Sequence, residues 1–236
     1  MNATRYGAFN ALVDIIAAPA KAFDEIRAHP RWLWWPLAIT VALAVGAFAF
    51  YFTWVDFDWL IEDVVRTSVP PGGDPATAEA IRSFMSPGVQ IASTAVGIVL
   101  FTLVVYAVQS VYLHLVNKVA GDPSLRFGQW FAFSAWTAFP TVFQSLAMLV
   151  VIFMASSNQL GQYELNPLSF QSLFMHAEPG TSWATWGSSL SLVTLWVIGL
   201  MIYGFSRWTG SSLPKSALFV ATPWVLVYGI WAAVIA

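Results

Sequence analysis

Five stretches of the chain run apolar for about twenty residues each, the length a membrane imposes because lipid offers backbone groups no hydrogen-bond partner. They predict spanning helices over about 33–54, 89–116, 130–155, 186–208 and 218–235, and the core of each lacks Asp, Glu, Lys and Arg. A charge at the centre of a span costs roughly 3 kcal/mol, so charge-free cores of this length are informative. Ahead of them the pattern changes. Phe9, Leu12, Val13 and Ile16 recur every three or four residues, and Pro19 suits the first turn of a second short helix. In that second helix Ala22, Phe23 and Ile26 share one side, with Lys21, Asp24, Glu25 and Arg27 on the rest. The expected organisation is an amphipathic helical region over 1–32 and a five-helix transmembrane domain over 33–236. The short helices fit three placements: on lipid headgroups, packed beneath the bundle, or against a partner.

The two longer connections differ in chemistry. In the first, Asp56–Asp63 reads as one or two amphipathic helical turns. Pro70, Pro71, Gly72, Gly73, Asp74 and Pro75 then break the helix, and it resumes over Thr77–Met85. Asp56, Asp58, Glu62 and Asp63 lie close enough to suggest a divalent cation, but their spacing matches no calcium loop and a solvated acidic face accounts for them. The second connection, over 156–185, is polar and almost uncharged. Asn166 and Pro167 predict a capped short helix there, and His176 and Glu178 are badly spaced for a shared metal.

Composition agrees with this pattern. Hydrophobic residues make up 58% of the 236 positions and charged residues 9%, with a mean hydropathy of +0.68. A soluble domain carries about 25% charged residues, so a water-exposed globule and a disordered chain are both excluded. The predicted fold class is all-α, a polytopic membrane protein. A net charge of −2 leaves no basic surplus for nucleic acid, and the absence of Cys removes disulfides and thiolate chemistry. No cleavable signal peptide is expected, because the first long apolar run begins only at Leu33.

Orientation follows from the basic residues of the short flanks. Arg5, Lys21, Arg27, Arg31, Lys118, Arg126, Arg207 and Lys215 fall on one side of a five-span topology, and only Arg66 and Arg82 on the other. This predicts a multi-pass protein of a bacterial inner membrane with a cytoplasmic N terminus and a periplasmic C terminus. Trp32, Trp34 and Trp35 would then sit at headgroup depth as interface anchors. Pro140 and Pro223 predict kinks in the third and fifth spans, with Thr137 and Thr222 placed to satisfy the freed carbonyls. Gly97, Gly187, Gly199, Gly204 and Gly229 could allow close helix approach, without forming a Gly-x-x-x-Gly pair.

Polar groups inside spans are the usual pointer to function. Gln109, His114 and Asn117 lie near the end of the second span, with Gln109 and Asn117 about two helical turns apart on one face, and Gln144 lies in the third. They form a candidate polar cluster, either packed against one another or lining a ligand or proton site. No catalytic motif, metal site or cofactor site is legible, and no enzymatic activity is expected.

Several of these residues also carry a family resemblance. Pro19, Ala20, Lys21, Ala22 and Phe23 give a Pro-x-x-x-Phe segment ahead of Pro30, Arg31, Trp32 and Pro36. His114–Lys118 closes the second span before Gly121 and Phe127, Pro140 interrupts the third, and Lys215, Ser216, Ala217 and Pro223 mark the fifth. In this order, over roughly residues 10–235, the chain resembles the Yip1 domain family of polytopic membrane proteins, in its bacterial branch. The resemblance implies a non-enzymatic scaffold, envelope or membrane-organising role, with a small-solute or lipid permease, dimeric if need be, as the alternative. It implies membrane lipids, a second copy or other membrane proteins as partners. Eukaryotic relatives associate with small GTPases through a long cytoplasmic N-terminal region that has no counterpart here, so GTPase binding is not expected.

Overall fold

A computed structural model describes residues 6–69, 72–120 and 124–236. Of the positions invoked above, Met1, Arg5, Pro70, Pro71 and Gly121 lie outside the described residues. The described chain is carried by α-helices: α1 (Ala8–Ala17), α2 (Pro19–Ala28), α3 (Trp34–Trp54), α4 (Phe57–Ser68), α5 (Pro75–Phe84), α6 (Pro87–Ala120), α7 (Phe127–Thr137), α8 (Val142–Met154), α9 (Ser182–Ser189), α10 (Leu192–Thr209) and α11 (Leu213–Ile235). No β-strand occurs among the described residues. Five segments are long and apolar enough to cross a membrane, over Pro30–Trp54, Pro87–Val119, Phe127–Met154, Leu192–Thr209 and Leu213–Ile235. The chain is an all-helical, polytopic membrane protein.

Span boundaries move where backbone chemistry overrides hydropathy. The fourth span starts at Leu192 and not near Trp186. Residues 190–192 are instead drawn into a short antiparallel bridge, with Phe170 N donating to Leu190 O at 2.8 Å and Leu192 N to Leu168 O at 3.0 Å. That bridge separates α9 from α10. It also alters the expected helix after Asn166. The Asn166 amide donates to Ser188 O at 3.2 Å, and only a single π-turn forms over Gln171–Met175. At Pro140 the third span passes through a 3-10 turn, Phe139–Thr141, between α7 and α8.

The chain divides into two compact units. The first takes in residues up to Val41, Phe101–Thr141 and Thr194–Ile230. Its centre is aromatic. Phe23 is fully buried on α2, its ring stacked on Phe133 at 5.6 Å. Trp130 packs on Phe133 at 5.4 Å and on Phe205 and Trp208 at 5.6 Å. The Trp208 indole N–H donates to the Phe23 carbonyl at 2.9 Å, Arg207 Nε donates to Asp24 at 2.7 Å, and Arg27 donates to the Trp208 carbonyl at 2.9 Å. α2 is therefore packed against span residues through Phe23, and α1 packs on α2; Ala11, Leu12, Ile15, Ala22 and Ile26 are buried, while Phe9 and Val13 on α1 stay exposed. Room for Phe23 comes from Gly204. A Cβ there would lie 2.5 Å from the Phe23 ring and 2.6 Å from Phe133, whereas one at Gly199 on the same helix would meet nothing within 4 Å.

The second unit takes in Ala42–Leu100, Val142–Val193 and Trp231–Ala236. Tyr51, Phe52, Leu60, Met148, Ile152, Leu160 and Leu165 form its core, and the Tyr51 hydroxyl donates to Leu160 O at 2.7 Å. The acidic segment works as helix chemistry. Asp56 caps α4 by accepting from Trp59 N, and Asp74 caps α5 by accepting from Ala76 N. Asp63 pairs with Arg66, and Arg82 makes a two-point contact with Glu62 at 2.8 and 2.9 Å that holds the Glu62 carboxyl below its usual range. Among the described residues no group of three His, Asp or Glu could hold a metal ion.

A contrast between two glycines tests the first unit. Gly204→Ala should lower the thermal transition of the purified protein in detergent by several degrees, because the buried rings around it have no free space to yield. Gly199→Ala, one helix turn and a half away on α10, should leave the transition unchanged or slightly raised. Equal transitions for the two variants would contradict the packing described.

Candidate functional site

Of the amides singled out in the sequence, Gln109 and Gln144 each turn to another side chain. Gln109 is half-buried on α6 and its Nε2 lies 3.5 Å from Met201 Sδ on α10. Asn117 is almost wholly buried. His114 is half-buried, and its Nδ1 is shielded from solvent with no hydrogen-bond partner among the described residues. Gln144 belongs to the second unit, where its Nε2 donates to Ser191 Oγ at 2.8 Å. The buried polar contact that the amide pattern does not announce is between hydroxyls: Ser110 and Ser134, both fully buried, sit 3.1 Å apart and join α6 to α7.

A cavity of about 430 Å³ opens beside Gln109, between α6, α10 and α11. Val104, Val108, Tyr112, Met201, Trp224 and Val227 line it, and Pro223 forms part of its wall. Pro223 sits inside the continuous helix α11. Proline has no N–H, so the carbonyl four residues earlier, that of Phe219, loses its helical donor. The Tyr112 hydroxyl supplies the replacement, donating to Phe219 O at 2.7 Å. The sequence pointed to Thr222 for this task, but its hydroxyl bonds Leu218 O, one residue too early. A neighbouring span satisfying a proline-freed carbonyl is the general reason such prolines persist in membranes. Nothing in a single sequence pairs Tyr112 with Pro223, since the two are linked only by helix packing.

Chemically this groove suits an apolar occupant. Its ionisable side chains are phenols, and the Gln109 amide is already turned to a thioether. Of the predicted anchors, Trp34 and Trp35 are 66% and 58% exposed at the start of α3, whereas Trp32 stacks on His29 with ring centroids 4.4 Å apart. Trp130, Trp136 and Trp208 serve the packed interior instead.

A model of the Yip1 domain family matches residues 13–234. No curated protein and no solved structure matches the chain.

A double-mutant cycle isolates the Tyr112 contact. Tyr112→Phe should cost about 1–3 kcal/mol, the penalty of leaving a buried carbonyl unmade. In a Pro223→Ala background Phe219 O regains a helical N–H, and Tyr112→Phe should then cost well under half as much. Denaturant or thermal unfolding in detergent measures both. Equal costs in the two backgrounds would show that the hydroxyl does not answer the proline.

Proposed function

Because the chain belongs to the Yip1 domain family, we propose that it is an integral membrane protein of the bacterial inner membrane with a non-enzymatic scaffold or membrane-organising role. The observation that supports this reading most is how the space within the first unit is used. Its centre is closed by Phe23, Trp130, Phe133, Phe205 and Trp208, and the buried hydroxyls of Ser110 and Ser134 pair with each other. The groove beside Gln109 is apolar and lacks a charged side chain. A solute path would need polar groups strung along it, and a catalytic role would need a nucleophile or base set against a partner. Membrane lipids, a second copy or other membrane proteins are the proposed partners, with small GTPases left out.

The same reading puts the N terminus in the cytoplasm and the C terminus outside, on the asymmetry of Lys and Arg between alternate flanks. It places α1, α2 and the Lys118, Arg126, Arg207 and Lys215 flanks on the cytoplasmic side.

Two measurements bear on this. Reporter fusions after Ala236 should be active only in a periplasmic-type reporter, and fusions ahead of Met1 only in a cytoplasmic one; a cytoplasmic signal from the C-terminal fusion would overturn the orientation. Proteoliposomes should release small solutes and exchange labelled lipid between leaflets no faster than empty vesicles. Rates that rise in proportion to reconstituted protein would replace the scaffold with a permease.

A further inference from the structure

In the second unit the connections after the first and third spans fold onto each other around a hollow of about 490 Å³. Two spans separate these connections, so both lie on one face of the membrane. Asp63 and Thr67 on α4 line the hollow from one side, Tyr163 and Asn166 from a second, and Ser188 on α9 from a third. Backbone geometry fixes the walls. Gly180 has a φ of +87°, and a Cβ there would lie 2.3 Å from the Thr67 carbonyl oxygen. Only glycine suits both that conformation and that approach. Gly180 N donates to the Tyr163 hydroxyl at 3.2 Å, and the Asn166 amide donates to Ser188 O at 3.2 Å.

The lining has hydrogen-bonding capacity that the fold does not use. Asn166 Oδ1 and Ser188 Oγ are shielded from solvent and have no hydrogen-bond partner among the described residues. Turning the Asn166 amide over would not help, because its oxygen would then face the Ser188 carbonyl. Buried polar atoms left so mark a wall that a ligand or a bound water completes. The Tyr163 hydroxyl takes Gly180 N as its donor and keeps its own proton to give. The Thr67 and Thr185 hydroxyls donate to the Asp63 and Thr181 carbonyls at 2.8 and 3.2 Å, which leaves their lone pairs to accept.

Charge decides the class of ligand. Among the described lining residues there is no Lys, Arg or His to attract an anion. The Asp63 side chain is only 10% exposed and its charge is already answered by Arg66, which leaves little to hold an amine. Val64 is the one aliphatic side chain among them, so nothing there receives an acyl chain. A carboxylate and several hydroxyls in a hollow of small-molecule size suit a molecule whose own hydroxyls both donate and accept. We propose that this hollow binds a soluble, neutral saccharide, with sugar hydroxyls donating to Asp63 and accepting from Tyr163. The site lies in the connections and does not depend on the role proposed for the spans.

Saturation-transfer difference NMR on the full chain in phosphatidylcholine nanodiscs tests this without a sugar-headed detergent. The probes are glucose, galactose, mannose and N-acetylglucosamine at millimolar concentration, with putrescine and citrate beside them. At least one sugar should show transfer that the amine and the carboxylate do not. Ser68 is an exposed lining residue, so Ser68→Trp fills the hollow and should abolish the transfer. Ser182, exposed at the start of α9 and outside the lining, supplies the control: Ser182→Trp should leave the transfer unchanged. Asp63→Asn should weaken the sugar roughly tenfold, the loss of a hydrogen bond to a charged group. No transfer from any of the four sugars to the unaltered protein, or transfer that Ser68→Trp leaves intact, would overturn the proposal and leave the hollow to water. Stronger transfer from putrescine than from every sugar would overturn it in favour of a cation. Loss of the sugar signal on adding monoglucosyl diacylglycerol to the nanodisc would overturn the assignment to a soluble sugar and give the site to a lipid headgroup.

Discussion

The seating of Phe23 against the space left by Gly204 is the contact on which the first unit depends. In lipid there is no hydrophobic force between spans, and association rests on van der Waals fit and on hydrogen bonds. Gly204 removes the one side chain that would hold α2 away from α10, and the ring that enters is stacked on Phe133 and locked by the Trp208 indole bonding to its own carbonyl. A segment whose amphipathic pattern fitted lipid headgroups, the underside of the bundle or a partner is thereby made part of the packed interior. The Asp24–Arg207 and Arg27–Trp208 contacts follow from that seating, within about one turn of it on the C-terminal side of both helices.

The polar chemistry is arranged around the same constraint. Because Arg27 is fixed by the docking of α2, Gln129 can reach its carbonyl and draw Arg126 alongside. Further along, Pro223 frees a carbonyl and Tyr112 takes it, so a lost helical bond becomes a tie between α6 and α11. Both devices turn backbone groups at helix ends or breaks into links between elements, which is how a chain with few charges gains specificity in a solvent that offers no hydrogen bonds.

Much of the fold was legible because lipid makes simple demands. Charge-free apolar runs located all five spans, and Pro19 with Phe23 and Ile26 announced α2 and its buried side. The missed features were all partnerships across the sequence. Gly204 looked like Gly199 until a ring from a distant helix came against it. Gln144 looked like a companion of Gln109, but found Ser191 in the second unit. Trp130 and Trp208 marked only the ends of predicted spans, yet their rings are core. The start of the fourth span was misplaced because hydropathy carries no signal for the bridge between Ser169 and Ser191. The polar hollow of the second unit was invisible for the same reason: Asp63 read as part of an acidic face and Asn166 as a helix cap, and only folding brings them together.

The account stands most directly on whether the two N-terminal helices are part of the packed structure. Hydrogen–deuterium exchange of the purified protein in lipid nanodiscs reads this from the peptides covering 8–28. The backbone amides of α2 should be protected nearly as well as those of α10 in the unaltered protein, and Phe23→Ala should release α1 and α2 to rapid exchange while α3 and α6 remain slow. Rapid exchange over 8–28 in the unaltered protein, or protection that Phe23→Ala leaves intact, would contradict the account.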